Sequence, residues 1–362
     1  MRSTKAIINL KAVQHNLAVI RQFAPSSKVM AVIKADAYGH GIVPIAQSLQ
    51  QADLIAVACM YEAVKLRAAL VSSSILLLEG FFDQGELTQV IELNLDTVVH
   101  QQKQVDEIIT LAKSYSGQKK IKVWLKLDTG MNRLGFNQQE FLAAYQSLNQ
   151  CSLIESVTLM SHFACADDIN NPMSQKQVKQ FEAVCQGLSG ELSIANSAGI
   201  IAWPESHFDW VRPGIALFGC SPMLGFDGLA HHFEPVMTLQ SQLITIRNIS
   251  VGESVGYGAN WQAKSETRLG IVAIGYGDGY PRHAEEGTPV WINGKTYPLV
   301  GKVSMDMLAV DLGNEDEFSI GEQVILWGEK LPVEIIARHS RTIAYTLLCG
   351  VTSRVSFEYI QV

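Results

Sequence analysis

No stretch of this 362-residue chain runs about 18 apolar residues without interruption, which excludes a membrane-spanning helix. Charge is sparse and of the wrong sign for general affinity to nucleic acid or an anionic membrane. Only 17% of residues are charged, the formal net charge is −7, and no basic block or RNA-binding signature occurs. Cysteine is scarce too. The six (Cys59, Cys151, Cys165, Cys185, Cys220, Cys349) are scattered without a C-x-x-C pair, so they read as reduced thiols and not as a disulfide framework. The apolar residues 6–10 are too few for a signal peptide and lack a small-residue cleavage site, so the expected location is cytoplasmic. No metal is expected. Low-complexity tracts are missing, and the 48% hydrophobic content suffices for a large core.

What is present is alternation. Short apolar runs at 29–33, 54–58, 75–78, 97–99, 121–127, 156–160 and 192–195 are each followed by an amphipathic segment, and a last run at 214–218 closes the series. Strands of four to seven residues alternating with helices predict parallel βαβ units. Eight such strands fit a (β/α)8 barrel of the TIM type, and a doubly wound open sheet competes. The first strand has no G-x-G-x-x-G turn after it, which favours the barrel. After residue 235 the texture changes. Runs at 236–249, 268–274, 289–291, 307–312 and 323–327 are β-type, separated by turn signals, of which Asn293-Gly294 marks a hairpin. The expected organisation is an α/β barrel domain over 1–235 and an all-β domain over 236–362, with no helix there longer than 333–338.

Ionisable or small polar residues punctuate the ends of the predicted barrel strands. Lys34 ends the first, Lys126 lies in the fifth with Arg133 beyond it, His162 ends the sixth, and Asn196-Ser197 end the seventh. Arg212 and Gly214 flank the last. In such a barrel the strand C-termini converge on the face that carries active sites. One such residue is an ordinary turn; five together mark a site.

The local sequences around them narrow the chemistry. Val32-Ile33-Lys34-Ala35-Asp36-Ala37-Tyr38-Gly39-His40-Gly41, Leu125-Lys126-Leu127-Asp128-Thr129-Gly130-Met131-Asn132-Arg133-Leu134-Gly135-Phe136, Ser161-His162-Phe163-Ala164, Asn196-Ser197-Ala198 and Val211-Arg212-Pro213-Gly214-Ile215 all resemble motifs of alanine racemases. In the second domain Val255-Gly256-Tyr257-Gly258, Gly275-Tyr276-Gly277-Asp278-Gly279-Tyr280 and Ser304-Met305-Asp306-Met307 do the same. The resemblance covers essentially the whole chain, in the family's order. It implies the barrel shared with ornithine-type decarboxylases, a C-terminal β domain, and a homodimer with composite sites. The implied reaction is interconversion of L-alanine and D-alanine on pyridoxal 5'-phosphate, supplying D-alanine for peptidoglycan or serving alanine catabolism.

By that resemblance Lys34 binds the cofactor as a Schiff base; an amino acid's α-proton is too weakly acidic to leave without such an electron sink. Arg212 faces the pyridine nitrogen. A guanidinium does not deprotonate at ordinary pH, so it leaves that nitrogen without a proton and the sink weak, which suppresses transamination. His162 orients Arg212, although a lone histidine is also an ordinary core residue. Tyr38, Ser197, Gly214, Ile215 and Tyr345 hold the phosphate, Tyr345 also fitting a plain packed tyrosine. Racemisation needs proton exchange on both faces, so Lys34 serves one face and Tyr257, from the partner subunit, the other. A free tyrosine near pKa ~10 is about 3 units too basic to give up its proton readily at pH 7, so positive charge is expected beside it. Arg133 contacts the cofactor's phenolic oxygen and the substrate carboxylate, with Met305 and Asp306 completing the carboxylate pocket. Lys126 matches a position where many members carry a carbamylated lysine. Asp167, Tyr276 and Arg282 match the access corridor, and as isolated polar residues they equally fit an ordinary surface.

Three other readings compete. A broad-specificity racemase has relatives that are often exported. A decarboxylase on the same fold usually puts an acidic residue where Arg212 stands. A pyridoxal-phosphate-binding homeostasis protein resembles the barrel alone and lacks the β domain bearing Tyr257.

Overall fold

The computed structural model describes residues 3–314 and 317–361. The chain opens with β1 (Lys5–Asn9) and the helix Leu10–Phe23, whose first turn is capped by the Asn9 side chain accepting from the amides of Lys11 and Ala12. Eight parallel strands then close into a barrel: β2 (Lys28–Val32), β3 (Leu54–Val57), β4 (Ile75–Leu77), β5 (Asp96–Val99), β6 (Ile121–Lys126), β7 (Ile154–Met160), β8 (Leu192–Asn196) and β9 (Trp210–Arg212). Their near-continuous apolar runs follow from burial on both faces, inside the barrel and against the helices. The barrel expected from the alternation is therefore present, and the open sheet is not.

One strand assignment is corrected. Residues 214–218 do not form the last barrel strand; Ile215–Phe218 is a 3-10 helix, and the eighth strand is the three-residue β9 just before it. Gly214, at φ −118° and ψ −92°, turns the chain out of the sheet after Pro213, whose carbonyl is already used by the Val32 amide at 2.9 Å.

The second sheet holds β10 (Met237–Ile249), β13 (Thr267–Val272), β14 (Pro289–Ile292), β15 (Lys295–Val300), β16 (Leu308–Gly313), β17 (Gln323–Trp327) and β18 (Ser356–Ile360), with β11 (Ser254–Val255) and β12 (Trp261–Gln262) forming a separate hairpin. Its strand order is β13-β16-β15-β14-β17-β10-β1-β18, so β1 from the chain's start lies between β10 and β18. Asn293 (φ +48°) and Gly294 (φ +89°) make the two-residue turn between β14 and β15, the conformation that Asn-Gly favours. The helices Val333–His339 and Ala344–Cys349 come from this half. One apolar cluster runs from barrel helices such as Leu10–Phe23 through Phe218 and Phe233 to Leu239 and Trp327. This shared core holds the helix Ala344–Cys349 against the end of the barrel where Lys34 lies.

Candidate active site

Lys34 stands one residue past β2, after Ile33, and the next four residues do something rare. Ala35, Asp36, Ala37 and Tyr38 all have φ between 50° and 56°, a turn of left-handed helix built without glycine. Such backbone costs an L-residue roughly 1–2 kcal/mol each, so the surroundings must hold it. They do. The ring Nδ1 of His40 lies 3.0 Å from the Ala37 carbonyl and 2.9 Å from that of Tyr38. Glu62 accepts from the Asp36 amide at 3.2 Å, and Asp36 accepts from the Ile42 amide at 3.1 Å while pairing with Lys65 at 2.9 Å. Gly39 ends the turn at φ +80°, where a Cβ would lie 2.2 Å from the Leu348 carbonyl oxygen. The turn throws the Tyr38 ring inward, against Phe218 at 4.8 Å and Tyr345 at 5.9 Å.

Tyr38 meets a hydroxyl-rich cradle. Asn196 caps the helix Ser197–Ala202 through the Gly199 amide, and Ser197 Oγ accepts from the amides of Gly214 at 2.9 Å and Ala216 at 3.4 Å. A Cβ on Gly214 would stand 2.3 Å from the Tyr38 hydroxyl, so only glycine admits that approach. Burial pushes the Tyr38 and Tyr345 phenols well up, keeping both protonated as donors.

The opposite wall carries positive charge. Arg212, 4% exposed, donates to Ser193 Oγ at 2.7 Å, the Ser161 carbonyl at 2.6 Å, the Ile194 carbonyl at 3.3 Å and His162 Nδ1 at 3.1 Å. Burial draws its guanidinium down to about 10, still charged at neutral pH. His162 is held well below the usual imidazole range by burial first and by the Arg212 charge second, so it stays neutral. Lys126, 8% exposed, is drawn down to about 8 by burial, then by Arg212 and Arg133, with Asp128 opposing. The turn bearing Arg133 is fixed by Asp128, which accepts from the amides of Gly130 at 2.8 Å and Asn132 at 3.1 Å.

The Lys34 turn, the hydroxyl cradle and the cation wall meet at one cavity of about 870 Å³. Of the residues expected at a site, Lys34, Tyr38, Lys126, Arg133 and His162 line it, as do Asp167, Ser197, Arg212, Gly214, Ile215 and Tyr345. Tyr257, Met305, Asp306, Tyr276 and Arg282 do not; they lie on the second domain. Tyr257 is 68% exposed in the β11–β12 hairpin and Met305 is 52% exposed. Asp306 is paired with Arg354, which also lies 3.5 Å from the buried Asp278. Arg282 sits 5.9 Å over the Tyr276 ring.

Two buried polar residues escaped the sequence reading. Glu334 accepts from the amides of Ser221 and Gly228, each at 2.9 Å, tying the cavity-lining loop around Met223 to the second domain. Gln177 sits behind His162. Its signal was a polar side chain on the apolar stripe of a helix, in line with Val178 and Phe181.

Comparison with known proteins agrees with this arrangement. The family model described as "Alanine racemase, N-terminal domain" matches residues 8–222, and "Alanine racemase, C-terminal domain" matches residues 236–359. An alanine racemase of Shewanella woodyi is 51% identical over 353 residues, covering 97% of this chain and 98% of its own. The crystal structure of the biosynthetic alanine racemase from Pseudomonas aeruginosa superposes with a TM-score of 0.95 at 42% identity, over 99% of this chain and all (100%) of that one. The alanine racemase of Bartonella henselae, solved with covalently bound pyridoxal phosphate, gives a TM-score of 0.90 at 30% identity over 99% of this chain and 100% of its own. The chain belongs to the alanine racemase family.

Proposed function

We propose that this protein interconverts L-alanine and D-alanine with pyridoxal 5'-phosphate, as a homodimer whose partner completes each site. The observation that carries the proposal is Arg212, a buried cation held by four bonds on the wall of the cavity that Lys34 lines. The cavity suits the cofactor at both ends. Protonated hydroxyls, close backbone and a helix start at Ser197 match a phosphate, and a fixed cation matches a ring nitrogen that accepts a hydrogen bond. When bound, the cofactor supplies the electron sink that makes an α-proton removable.

The rest is work for this chain's own residues. Lys34 Nζ would hold the cofactor and would move the α-proton on one face. Tyr257 Oη of the second subunit moves it on the other, and the roles exchange when the substrate enantiomer changes. Arg133, with the Met305 backbone and Asp306, holds the substrate carboxylate. Arg212 would face the ring nitrogen and keep it without a proton, limiting the electron withdrawal the cofactor would supply. His162 orients Arg212. Lys126, carbamylated, becomes an anion that positions Arg133. Its lowered pKa supports this, because carbamate formation requires the neutral amine.

The test is a racemisation assay across L-amino acids, with the visible absorbance of the bound cofactor recorded on the same preparation. Alanine turnover that is lost in Lys34→Ala together with that absorbance is the expected result. Absorbance without racemisation of any amino acid would overturn the proposal.

A further inference from the structure

Behind the wall that carries His162 and Arg212 lies a buried polar cluster that no assigned role accounts for. At its centre is Gln177, fully buried (0%) although it sits on the helix Met173–Cys185. Its Oε1 accepts from the Ala164 amide at 2.9 Å, and its Nε2 donates to the His162 carbonyl at 2.9 Å and to Thr129 Oγ1 at 3.0 Å. The orientation of the amide is not arbitrary. Flipped, it would set NH2 against the Ala164 N–H and oxygen against the His162 carbonyl, two repulsive contacts in place of two bonds. Thr129 Oγ1 lies 2.8 Å from Ser161 Oγ, and that hydroxyl donates to the Leu127 carbonyl at 2.9 Å.

The segment 161–164 leaves β7 in no regular secondary structure: the Ser161 amide makes a last ladder bond to the Ser193 carbonyl at 2.9 Å, and the His162 carbonyl and Ala164 amide then pair with a side chain. Gln177 supplies the partners for His162 and Ala164. The same segment receives Arg212, whose Nη2 donates to the Ser161 carbonyl and to His162 Nδ1. On its other side Thr129 opens the turn that ends at Arg133. One glutamine thus joins the strand end bearing His162 to the turn bearing Arg133.

We propose that Gln177 is a positioning residue for the racemisation, holding the His162 segment, and through it the Arg212 guanidinium, in register with the cofactor's ring nitrogen. This rests on the reading above that Arg212 faces that nitrogen. Loss of the register lets the ring nitrogen take a proton, and half-transamination rises. In that side reaction lysine-bound cofactor, alanine and one water give free Lys34, the amine form of the cofactor and pyruvate.

The test uses holoenzyme variants. Gln177→Met keeps the volume and removes the bonds; Thr129→Val removes the hydroxyl at the far end and, with Gln177→Glu, carries the test should the first variant not fold. Tyr145→Phe is the stability control, because its buried hydroxyl bonds the Ser189 amide and carbonyl, each at 2.8 Å, away from the cavity. In Gln177→Met, kcat falls about tenfold with KM within about twofold, and pyruvate formed per racemisation turnover rises about tenfold. The induced circular dichroism of the resting cofactor changes, while the cofactor's dissociation constant moves less than about threefold, since the phosphate cradle does not touch Gln177. Thr129→Val and Gln177→Glu shift the pyruvate ratio the same way, and Tyr145→Phe leaves it unchanged. Arg212→Glu separates the two levels: if it fails to raise the ratio, the reading of Arg212 is wrong. If it raises the ratio and the Gln177 and Thr129 variants do not, even with kcat reduced, Gln177 is merely structural and the inference is overturned.

Discussion

Arg212 donates from Nη2 to His162 Nδ1 at 3.1 Å, and this bond requires the histidine to be an acceptor and hence a neutral ring. His40 is held in the opposite tautomer. Its Nδ1 lies between two carbonyl oxygens, of Ala37 and Tyr38, and must carry the proton, while its buried Nε2 has no partner. One histidine serves the cation wall and the other braces the left-handed turn, and both are neutral because burial forbids the charge.

That neutrality has a cost at acidic pH. In the unfolded chain each ring takes a proton near 6.5; in the folded chain His40 is drawn down to about 4 and His162 well below the usual range, both chiefly by burial. Below 6.5 the unfolded state therefore binds more protons, and stability falls as pH falls, by about 1.4 kcal/mol per pH unit for each ring. Asp96 works the other way. Burial pushes its carboxyl up to about 6, so the folded state gains its proton first and is favoured as pH drops from 6 toward 4. The melting temperature of cofactor-free protein is expected to decline between pH 6.5 and 4.5, and Asp96→Asn to steepen that decline. A flat profile for both proteins would mean the two rings are charged in the native state.

The separation of Tyr257 from the cavity gives the composite site a quantitative test. Lys34 lines the cavity, and Tyr257 stands exposed on the β11–β12 hairpin of the same chain. Lys34→Ala and Tyr257→Phe are each expected to abolish racemisation. Co-refolded in equal amounts, half the dimers are mixed, and a mixed dimer has one doubly defective site and one intact site. Activity should return to about a quarter of that of the unsubstituted protein, as two-fold exchange of a domain contact requires. No recovery, with dimers present by sedimentation, would place both bases on one chain.

Lys126 offers a chemical test. With its pKa near 8, roughly a tenth of it is the neutral amine at pH 7, against about one part in three thousand for an ordinary lysine. It is therefore poised to capture carbon dioxide, and the product anion would lie among Arg212, Arg133 and Lys34, which now penalise its cationic form. Intact mass and peptide mapping under bicarbonate should show one added carbon dioxide on Lys126, with activity declining after exhaustive degassing and returning with bicarbonate. Unmodified Lys126 in fully active enzyme would exclude the role.

The residues that line the cavity were easier to read from the sequence than the scaffold around them. Lys34, His162 and Arg212 were legible because apolar strands end abruptly in charged residues, and Asn293-Gly294 because its turn is set by two local backbone conformations. β1 was not legible. Its partners lie on β10 and β18, and an apolar pentapeptide at a chain start does not announce pairing so distant. β9 escaped because three residues carry no period, while the longer apolar run after it reads as strand until Gly214 turns the chain. Gln177 left a faint trace, a polar residue on the apolar stripe of its helix, but its partners and those of Glu334 are set by tertiary contacts. The left-handed turn was hidden for a different reason: Ala35-Asp36-Ala37-Tyr38 contains no glycine to mark positive φ.

That turn yields a prediction of unusual sign. Glycine in place of alanine normally destabilises by about 0.5–1 kcal/mol through the entropy of the unfolded chain. At Ala35, exposed at φ +54° and ψ +54°, glycine also relieves roughly 1–2 kcal/mol of left-handed strain. The two terms leave Ala35→Gly neutral to stabilising by about 1 kcal/mol. Ala143→Gly, at an exposed site in the helix Gln138–Asn149, is the matched control and should cost about 1 kcal/mol. Thermal unfolding of both variants decides the matter. If Ala35→Gly loses as much as Ala143→Gly, the turn stores no strain, and the bracing by His40, Glu62 and Lys65 is incidental. If it does not, Lys34 is presented by a backbone its neighbours force into place, and loosening it should raise stability while lowering the affinity for the cofactor that Tyr38 helps to hold.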